Sequence, residues 1–409
     1  MKKIFNFALY DFANSAFTTI IITFIFSTYF AKQIAPTPIL GQSYWGWTIG
    51  ITGLLIALIG PFIGSFADKK NCIRLFIRLF TICCIFFTSL LWFAKPSENY
   101  LFFTLIIVAI SNFFYELSLI FYNSILRNIS KDANLGKSSG FGFGLGYVGG
   151  ILILIICIKV FIDNNVLPFG LSKENAENIR ATSIVVSLWY LIFSIPFLFS
   201  LKKEIRNKID ETSSSLTKIK NLVWNNGLNN LGKFLFARML YADGLNAIIV
   251  MGGIFAVGVY NLEIKDLLVL SVLMNITAFI GAIFGGYAND KFTSKNVIIF
   301  SLIGLIISAG IILLVKTKLF FFIFASINGF FIGPIQSASR VFITKSIDSN
   351  NQAVGFGLFA LSGKLTSFIG PLLVATVTFI TNSQRIGFSA AILLLLAGLI
   401  ILLNVKKIN

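Results

Sequence analysis

From Phe7 to Ala31 the chain runs for the length of a membrane crossing with one charged side chain, Asp11, inside it. A helix needs about 20 mostly apolar residues to cross roughly 30 Å of hydrocarbon, and eleven further stretches meet that requirement. They run 44–66, 73–94, 100–126, 139–162 and 181–201 in the first half, then 234–260, 266–288, 297–315, 319–343, 352–380 and 386–403 in the second. In lipid only a helix or a closed barrel satisfies every backbone polar group, and runs of this length specify helices. With 56% hydrophobic and 12% charged residues, 409 residues cannot fold as soluble domains. The sequence predicts an all-α membrane protein of twelve transmembrane helices.

A net charge of +17 would suggest nucleic acid in a soluble protein, but here the basic residues sort by side. With the amino terminus cytoplasmic, 21 of the 33 Lys and Arg residues, among them Lys2, Lys3, Lys69, Lys70, Arg74, Arg127, Lys202, Lys203, Arg206, Lys208, Lys218, Lys220, Lys291 and Lys406, fall on the cytoplasmic side. Nine fall outside, and Arg238, Arg340 and Lys364 lie within spans. This bias predicts both termini cytoplasmic. The opening Met-Lys-Lys and apolar run is read as a retained span, because it exceeds a signal-peptide core and carries polar residues. Cys72, Cys83, Cys84 and Cys157 have no C-x-x-C spacing. Without histidine, imidazole metal ligands and catalytic triads are excluded, and no metal, cofactor or enzyme activity is expected.

The polar interval 202–232 separates six spans from six and predicts three parts: a bundle over 1–201, a linker over 202–232 and a bundle over 233–409. Within the linker, Leu216, Ile219, Leu222 and Val223 recur at helical spacing beside Lys218 and Lys220. Either an amphipathic surface helix or a solvated linker fits that pattern.

The halves echo each other. Asp11 and Asn14 form a D-x-x-N pair in span 1, repeated by Asp243 and Asn246 in span 7. Gly64 to Lys69, with Asp68, is matched after span 8 by Gly285 to Lys291, with Asp290. Asn123 to Arg127 is matched by Gln336 to Arg340, and Gly142-Phe-Gly-Leu by Gly355-Phe-Gly-Leu. The shared order predicts two pseudo-symmetric six-helix bundles about a central pathway.

These segments resemble the major facilitator superfamily and, within it, the vacuolar effluxer family related to a fungal autophagy protein, which has many bacterial members. The resemblance rests on "YDFANSAF" at Tyr10 to Phe17, "FYNS" at Phe121 to Ser124, "SGFGFGLGYVGG" at Ser139 to Gly150 and "LWYLIFSIP" at Leu188 to Pro196. In the second half it rests on "RMLYADGLNAI" at Arg238 to Ile248, "GPIQSASR" at Gly333 to Arg340 and "GKLTSFIGP" at Gly363 to Pro371. It implies the major facilitator fold and transport of an amino acid or similar small metabolite.

Asp11, Glu116, Asp243, Arg238, Arg340 and Lys364 fall within the spans. Unpaired at mid-bilayer, six such residues would cost about 15 to 20 kcal/mol, so they must pair or meet water. Asn14, Ser15 and Thr18 share the helical face of Asp11. The expected substrate pathway is Asp11, Asn14, Ser15, Glu116, Asn123, Asp243, Asn246, Gln336 and Lys364, with Lys364 neutralising one carboxylate and Arg238 and Arg340 in a charge network. Each amide could equally be an interhelical hydrogen bond. Asp68, Lys69, Asp290 and Lys291 form the expected cytoplasmic gate, where a carboxylate can cap a helix amino terminus or bind an arginine. The glycines of span 5 let a neighbouring backbone come close, and no aromatic residue is singled out as a ligand.

The expected function is secondary active transport (permease, symport or antiport) of a small polar solute by alternating access, with H+ the candidate coupling ion. A lipid translocase on the same fold is the alternative. The expected partners are a small-molecule substrate and the bilayer, with no nucleic acid. The chain is expected to be a monomeric multi-pass protein of a bacterial inner membrane.

Overall fold

The computed structural model describes residues 2–407 apart from 165, 202–213 and 226. The linker lysines Lys202, Lys203 and Lys208, with Arg206, lie outside the described residues. Among those described, twelve helices are long and apolar enough to cross a membrane. They are Lys2–Ile34, Pro38–Lys70, Ile73–Phe93, Glu98–Ser124, Asp132–Ile162 and Glu177–Ser200, then Asn230–Tyr260, Val269–Lys291, Ser294–Leu314, Lys318–Ser346, Ser349–Thr381 and Gln384–Leu403. Here they are spans 1 to 12. Each corresponds to one apolar stretch of the sequence, usually extended by a turn or two of polar residues.

The chain forms two compact units that cut across its halves. The first comprises Met1–Ile56, Cys72–Tyr122 and Leu145–Ile205; the second comprises Ala57–Asn71, Asn123–Gly144 and Arg206–Asn409. The end of span 2 and the segment joining spans 4 and 5 thus pack with the second half of the sequence.

In the first unit, span 1 lies along span 6. Asn6 donates to the Pro196 carbonyl (3.2 Å) and the Trp189 indole N–H to that of Phe12 (3.2 Å). Their core is aromatic: Phe7 stacks on Tyr122 with ring centroids 4.3 Å apart, and Tyr122 on Tyr10 at 4.6 Å. The Tyr10 hydroxyl reaches Thr81 (2.6 Å) and Tyr190 (3.0 Å), so these rings keep their polar ends paired in a dry core. Arg78 is held through two donors on the Leu198 carbonyl, at 3.1 and 2.7 Å. Span 1 changes character after Ala16, where Phe17–Phe24 forms a π-helix. Such wide turns leave the regular hydrogen-bond ladder and concentrate at functional sites.

The second unit is packed through small residues. A Cβ added to Gly285 of span 8 would lie 2.6 Å from Pro334 Cβ of span 10. One added to Gly398 of span 12 would lie 2.8 Å from the Tyr241 backbone nitrogen of span 7. These backbones touch without intervening side chains, which is how helices gain dispersion energy where no hydrophobic effect drives them together. Near the end of the chain, Lys406 N–H donates to Asn230 Oδ1 (2.6 Å) and Lys295 Nζ to the Leu403 carbonyl (2.7 Å). Span 11 is interrupted: helix Gln352–Lys364 ends, residues 365–368 turn, and helix Ile369–Thr381 resumes. Across the break the bonds tighten to Ser367 N–H on Lys364 (3.3 Å) and Ile369 N–H on Thr366 (2.7 Å).

This packing predicts a contrast between two glycines. Gly398→Leu overfills the contact with Tyr241, at a cost of about 1–3 kcal/mol, whereas a Cβ on Gly310 meets nothing within 4 Å. Thermal unfolding in detergent should therefore occur at lower temperature for Gly398→Leu and be unchanged or higher for Gly310→Leu; equal midpoints would contradict the packing.

Candidate functional site

Span 1 carries Asp11 buried, 8% exposed, against span 4. Its Oδ2 accepts the Tyr122 hydroxyl at 2.7 Å, and the Phe7 carbonyl stands 2.9 Å from the same hydroxyl, so one proton faces two acceptors. Three residues on, Asn14 is 5% exposed. Its Oδ1 lies 3.5 Å from the Tyr115 hydroxyl, while its Nδ2 is buried with no partner among the described residues. Ser15 spends its proton on the Phe12 carbonyl (3.0 Å), as Thr18 does on that of Ser15 (3.1 Å). Span 5 seals this stripe with backbone: a Cβ on Gly149 would lie 2.8 Å from Ser15 Oγ, and one on Gly146 3.4 Å from the Asp11 carbonyl oxygen. The expected close approach at these glycines is therefore present. Glu116 is half-buried beside Tyr115 on span 4.

The corresponding pair in span 7 has different partners. Asp243 is 2% exposed, and its Oδ1 has no hydrogen bond of standard geometry among the described residues. Neither does the buried hydroxyl of Thr366, which neighbours it on the span 11 break. Asn246 donates to the Ser367 carbonyl at 2.7 Å, so the broken helix is held where its ladder lapses. Lys364 closes the helical segment just before the break.

Arg238 and Arg340, the residues of the expected charge network, each donate to neutral acceptors, and the Asp243 carboxylate also acts on Arg238 electrostatically. Arg238 Nη1 donates to the Phe359 carbonyl (2.6 Å) and Ser362 Oγ (2.7 Å), with the guanidinium 3.4 Å from the Phe359 ring centroid. Arg340, 1% exposed, binds Ser139 through Oγ (2.8 Å) and carbonyl (2.6 Å) and Asn123 Oδ1 (3.1 Å), with Phe143 4.2 Å from its guanidinium carbon. Asn123 and Arg340 thus meet, while Gln336 lies one turn before Arg340 on span 10, half-buried.

The paired carboxylates at the span ends are the most symmetric feature of the second unit. Asp68, ending span 2, accepts the backbone N–H groups of Ala353 (3.2 Å) and Val354 (2.8 Å), in the first turn of helix Gln352–Lys364. Asp290, ending span 8, accepts those of Gly136 (2.6 Å) and Lys137 (2.9 Å), in the first turn of helix Leu135–Ile156. Each carboxylate takes two orphan donors at the positive end of a helix dipole. Helix capping, one of the two modes open from sequence, is present at both. Glycines permit the approach: a Cβ on Gly64 would lie 2.9 Å from Val354 Cα, and one on Gly136 2.6 Å from Asp290 Oδ1. Lys69 and Lys291 are exposed, and the Lys291 ammonium lies 5.7 Å from the Phe292 ring centroid.

Sequence reasoning missed the tyrosines. Tyr115 and Tyr122 are seven residues apart on one face of span 4 and reach Asn14 and Asp11, a spacing that was readable once span 1 had been paired with span 4. Thr366 was missed because nothing in "GKLTSFIGP" marks a break.

The profile of the family described as "Vacuole effluxer Atg22 like" matches residues 128–408. An uncharacterised MFS-type transporter of Bacillus subtilis, YxiO, is 27% identical across 98% of this chain and 94% of its own length. Autophagy-related protein 22-1 of Neosartorya fischeri is 26% identical over 68% of this chain, which spans about half of that fungal protein. Among solved structures, the human organic anion transporter MFSD10 superposes with a TM-score of 0.73 at 14% identity, covering 98% of both chains. The proton:xylose symporter XylE does so with 0.76 at 11%, covering 99% of this chain and 96% of its own. At such identities the structures share the fold alone. The chain belongs to the Atg22-like vacuole effluxer family, within the major facilitator superfamily of membrane transporters.

Proposed function

We propose that this transporter moves a small polar solute, an amino acid or similar metabolite, by alternating access, driven by a gradient with H+ as coupling ion. The observation that carries the reading is unspent hydrogen-bonding capacity on the repeated D-x-x-N motif. A polar atom buried without a partner costs on the order of 1–3 kcal/mol, and among the described residues spans 1 and 7 each keep one without a hydrogen bond of standard geometry, Asn14 Nδ2 as donor and Asp243 Oδ1, beside the Thr366 hydroxyl, as acceptor. Each is a candidate contact for a polar group of the solute, Asn14 for an acceptor such as a carboxylate oxygen and Asp243 for a donor such as an ammonium group. Asp11, Ser15, Glu116, Asn123, Asn246, Gln336 and Lys364 complete the proposed pathway, in a monomer of a bacterial inner membrane with both termini cytoplasmic.

We further propose that Asp68 and Asp290 hold the cytoplasmic side shut, since each cap joins a span end to the start of another helix. Losing a cap of this kind weakens a contact by about 1 kcal/mol, a roughly fivefold change in a two-state equilibrium.

Two outcomes are expected. In proteoliposomes supplied with a panel of amino acids, Asp243→Asn and Asn14→Ala should each lower kcat/KM about 10-fold or more, as loss of a hydrogen bond to a charged group does, and an acid step outside should accelerate uptake. Unchanged rates in both variants would sink the assignment. For the gate, a cysteine at the buried Ala353, with Cys72 replaced by Ser, should be alkylated about fivefold faster when Asp68 is changed to Ala; an unaltered rate would show that the cap does not hold the closed state.

A further inference from the structure

The described part of the linker does not simply connect span 6 to span 7. Helix Ser215–Val223 is capped by Ser214 Oγ, which accepts the Thr217 N–H at 3.2 Å. Ser215, Ile219, Leu222 and Val223 turn toward the protein and are half-buried, with Ser215 Oγ 3.2 Å from Ser65 Oγ of span 2. The far end is fastened by Asn229. Its Nδ2 donates to the Leu222 carbonyl (2.8 Å), its backbone N–H to that of Val223 (3.1 Å), and its Oδ1 caps span 7 by accepting the Gly232 N–H (2.9 Å). Gly232 allows this closeness, because a Cβ there would collide with the Val223 carbonyl.

The apolar face is therefore already used, yet a second stripe stays bare. Leu216 is 65% exposed, Trp224 50% and Leu228 41%, and the exposed Lys220 lies midway between Leu216 and Trp224. A short pairing of Trp224 with Leu228 sets these two side by side. Span 7 follows directly in sequence, with Lys233 exposed and Phe236, one turn later, 44% exposed. Among the described residues neither Lys220 nor Lys233 has an ion-pair partner. In water such a stripe is unfavourable. At the junction of headgroups and acyl chains it is complementary: tryptophan prefers that depth, leucines enter the chains, and lysines snorkel to phosphate.

We propose that the linker helix and the Trp224–Leu228 pair form an interfacial anchor that binds anionic phospholipid, with Leu216, Trp224 and Leu228 in the acyl-chain boundary and Lys220 and Lys233 on the lipid phosphates. The charge of Lys220 and Lys233 selects anionic headgroups. The anchor is independent of the solute transported.

The full chain is reconstituted in vesicles of phosphatidylcholine with phosphatidylglycerol, in which either lipid is supplied with brominated acyl chains. The protein has five tryptophans, and the difference in emission between the wild-type chain and Trp224→Phe isolates Trp224. Its emission should be quenched by brominated lipid, and more by brominated phosphatidylglycerol than by brominated phosphatidylcholine at equal mole fraction. That preference should fall about fivefold for each lysine removed in Lys220→Gln and Lys233→Gln, and persist in Lys220→Arg and Lys233→Arg. Emission untouched by either brominated lipid would overturn the anchor, whether water or protein then covers the tryptophan. Equal quenching by both lipids would overturn the selection of anionic headgroups.

Discussion

Hydrocarbon offers no water to a polar atom, and the arrangement of this protein follows from that scarcity. Twelve helices satisfy their own backbones. Side chains that remain polar find protein partners, as Arg340 does with Ser139 and Asn123 and Tyr10 with Thr81 and Tyr190. Seven buried side-chain atoms among the described residues lack a hydrogen bond of standard geometry, and Asn14 Nδ2 and Asp243 Oδ1 are the two that belong to the repeated motif. Their cost is the physical ground for linking them to a transported solute.

The internal duplication was visible in the order of four short motifs, but its halves are not copies in use. Asp11 is held by a tyrosine hydroxyl from span 4, whereas Asp243 leaves an oxygen over and lies beside a threonine of a broken helix. Asn14 keeps a donor without a partner among the described residues; Asn246 spends its donor on Ser367. The same four-residue motif thus offers different chemistry in each half because the neighbouring spans differ.

Legibility followed the range of the interaction. Apolar runs are local, so all twelve spans could be placed within a few residues, and Asp68 and Asp290 were marked by their position at turns after spans 2 and 8. Tertiary pairings were not local. Tyr115 and Tyr122 gain their roles only through the packing of span 4 on span 1, and aromatic residues are too abundant here for one to be conspicuous. The π-helical turn after Ala16 and the break at 365–368 arise in segments whose hydropathy is unremarked. The compact units also differ from the six-and-six division of the sequence, because segments 57–71 and 123–144 pack with elements encoded far downstream. No composition shift announces that.

The capped contacts at the ends of spans 2 and 8 have a kinetic consequence. Their surfaces meet through Gly64, Gly136, Gly140 and Gly286, with backbone against backbone, and one carboxylate at each joint takes two backbone N–H groups. A joint made of interdigitated leucines would have to rotate many side chains out of their wells before it parted. A smooth joint latched by an anion on two N–H groups can release in one motion, with water replacing the protein donors as the surfaces separate. For the proposed gate, the barrier to opening would be set by the hydration of two aspartates rather than by the repacking of a core, so such a contact would be firm at rest and still cycle rapidly.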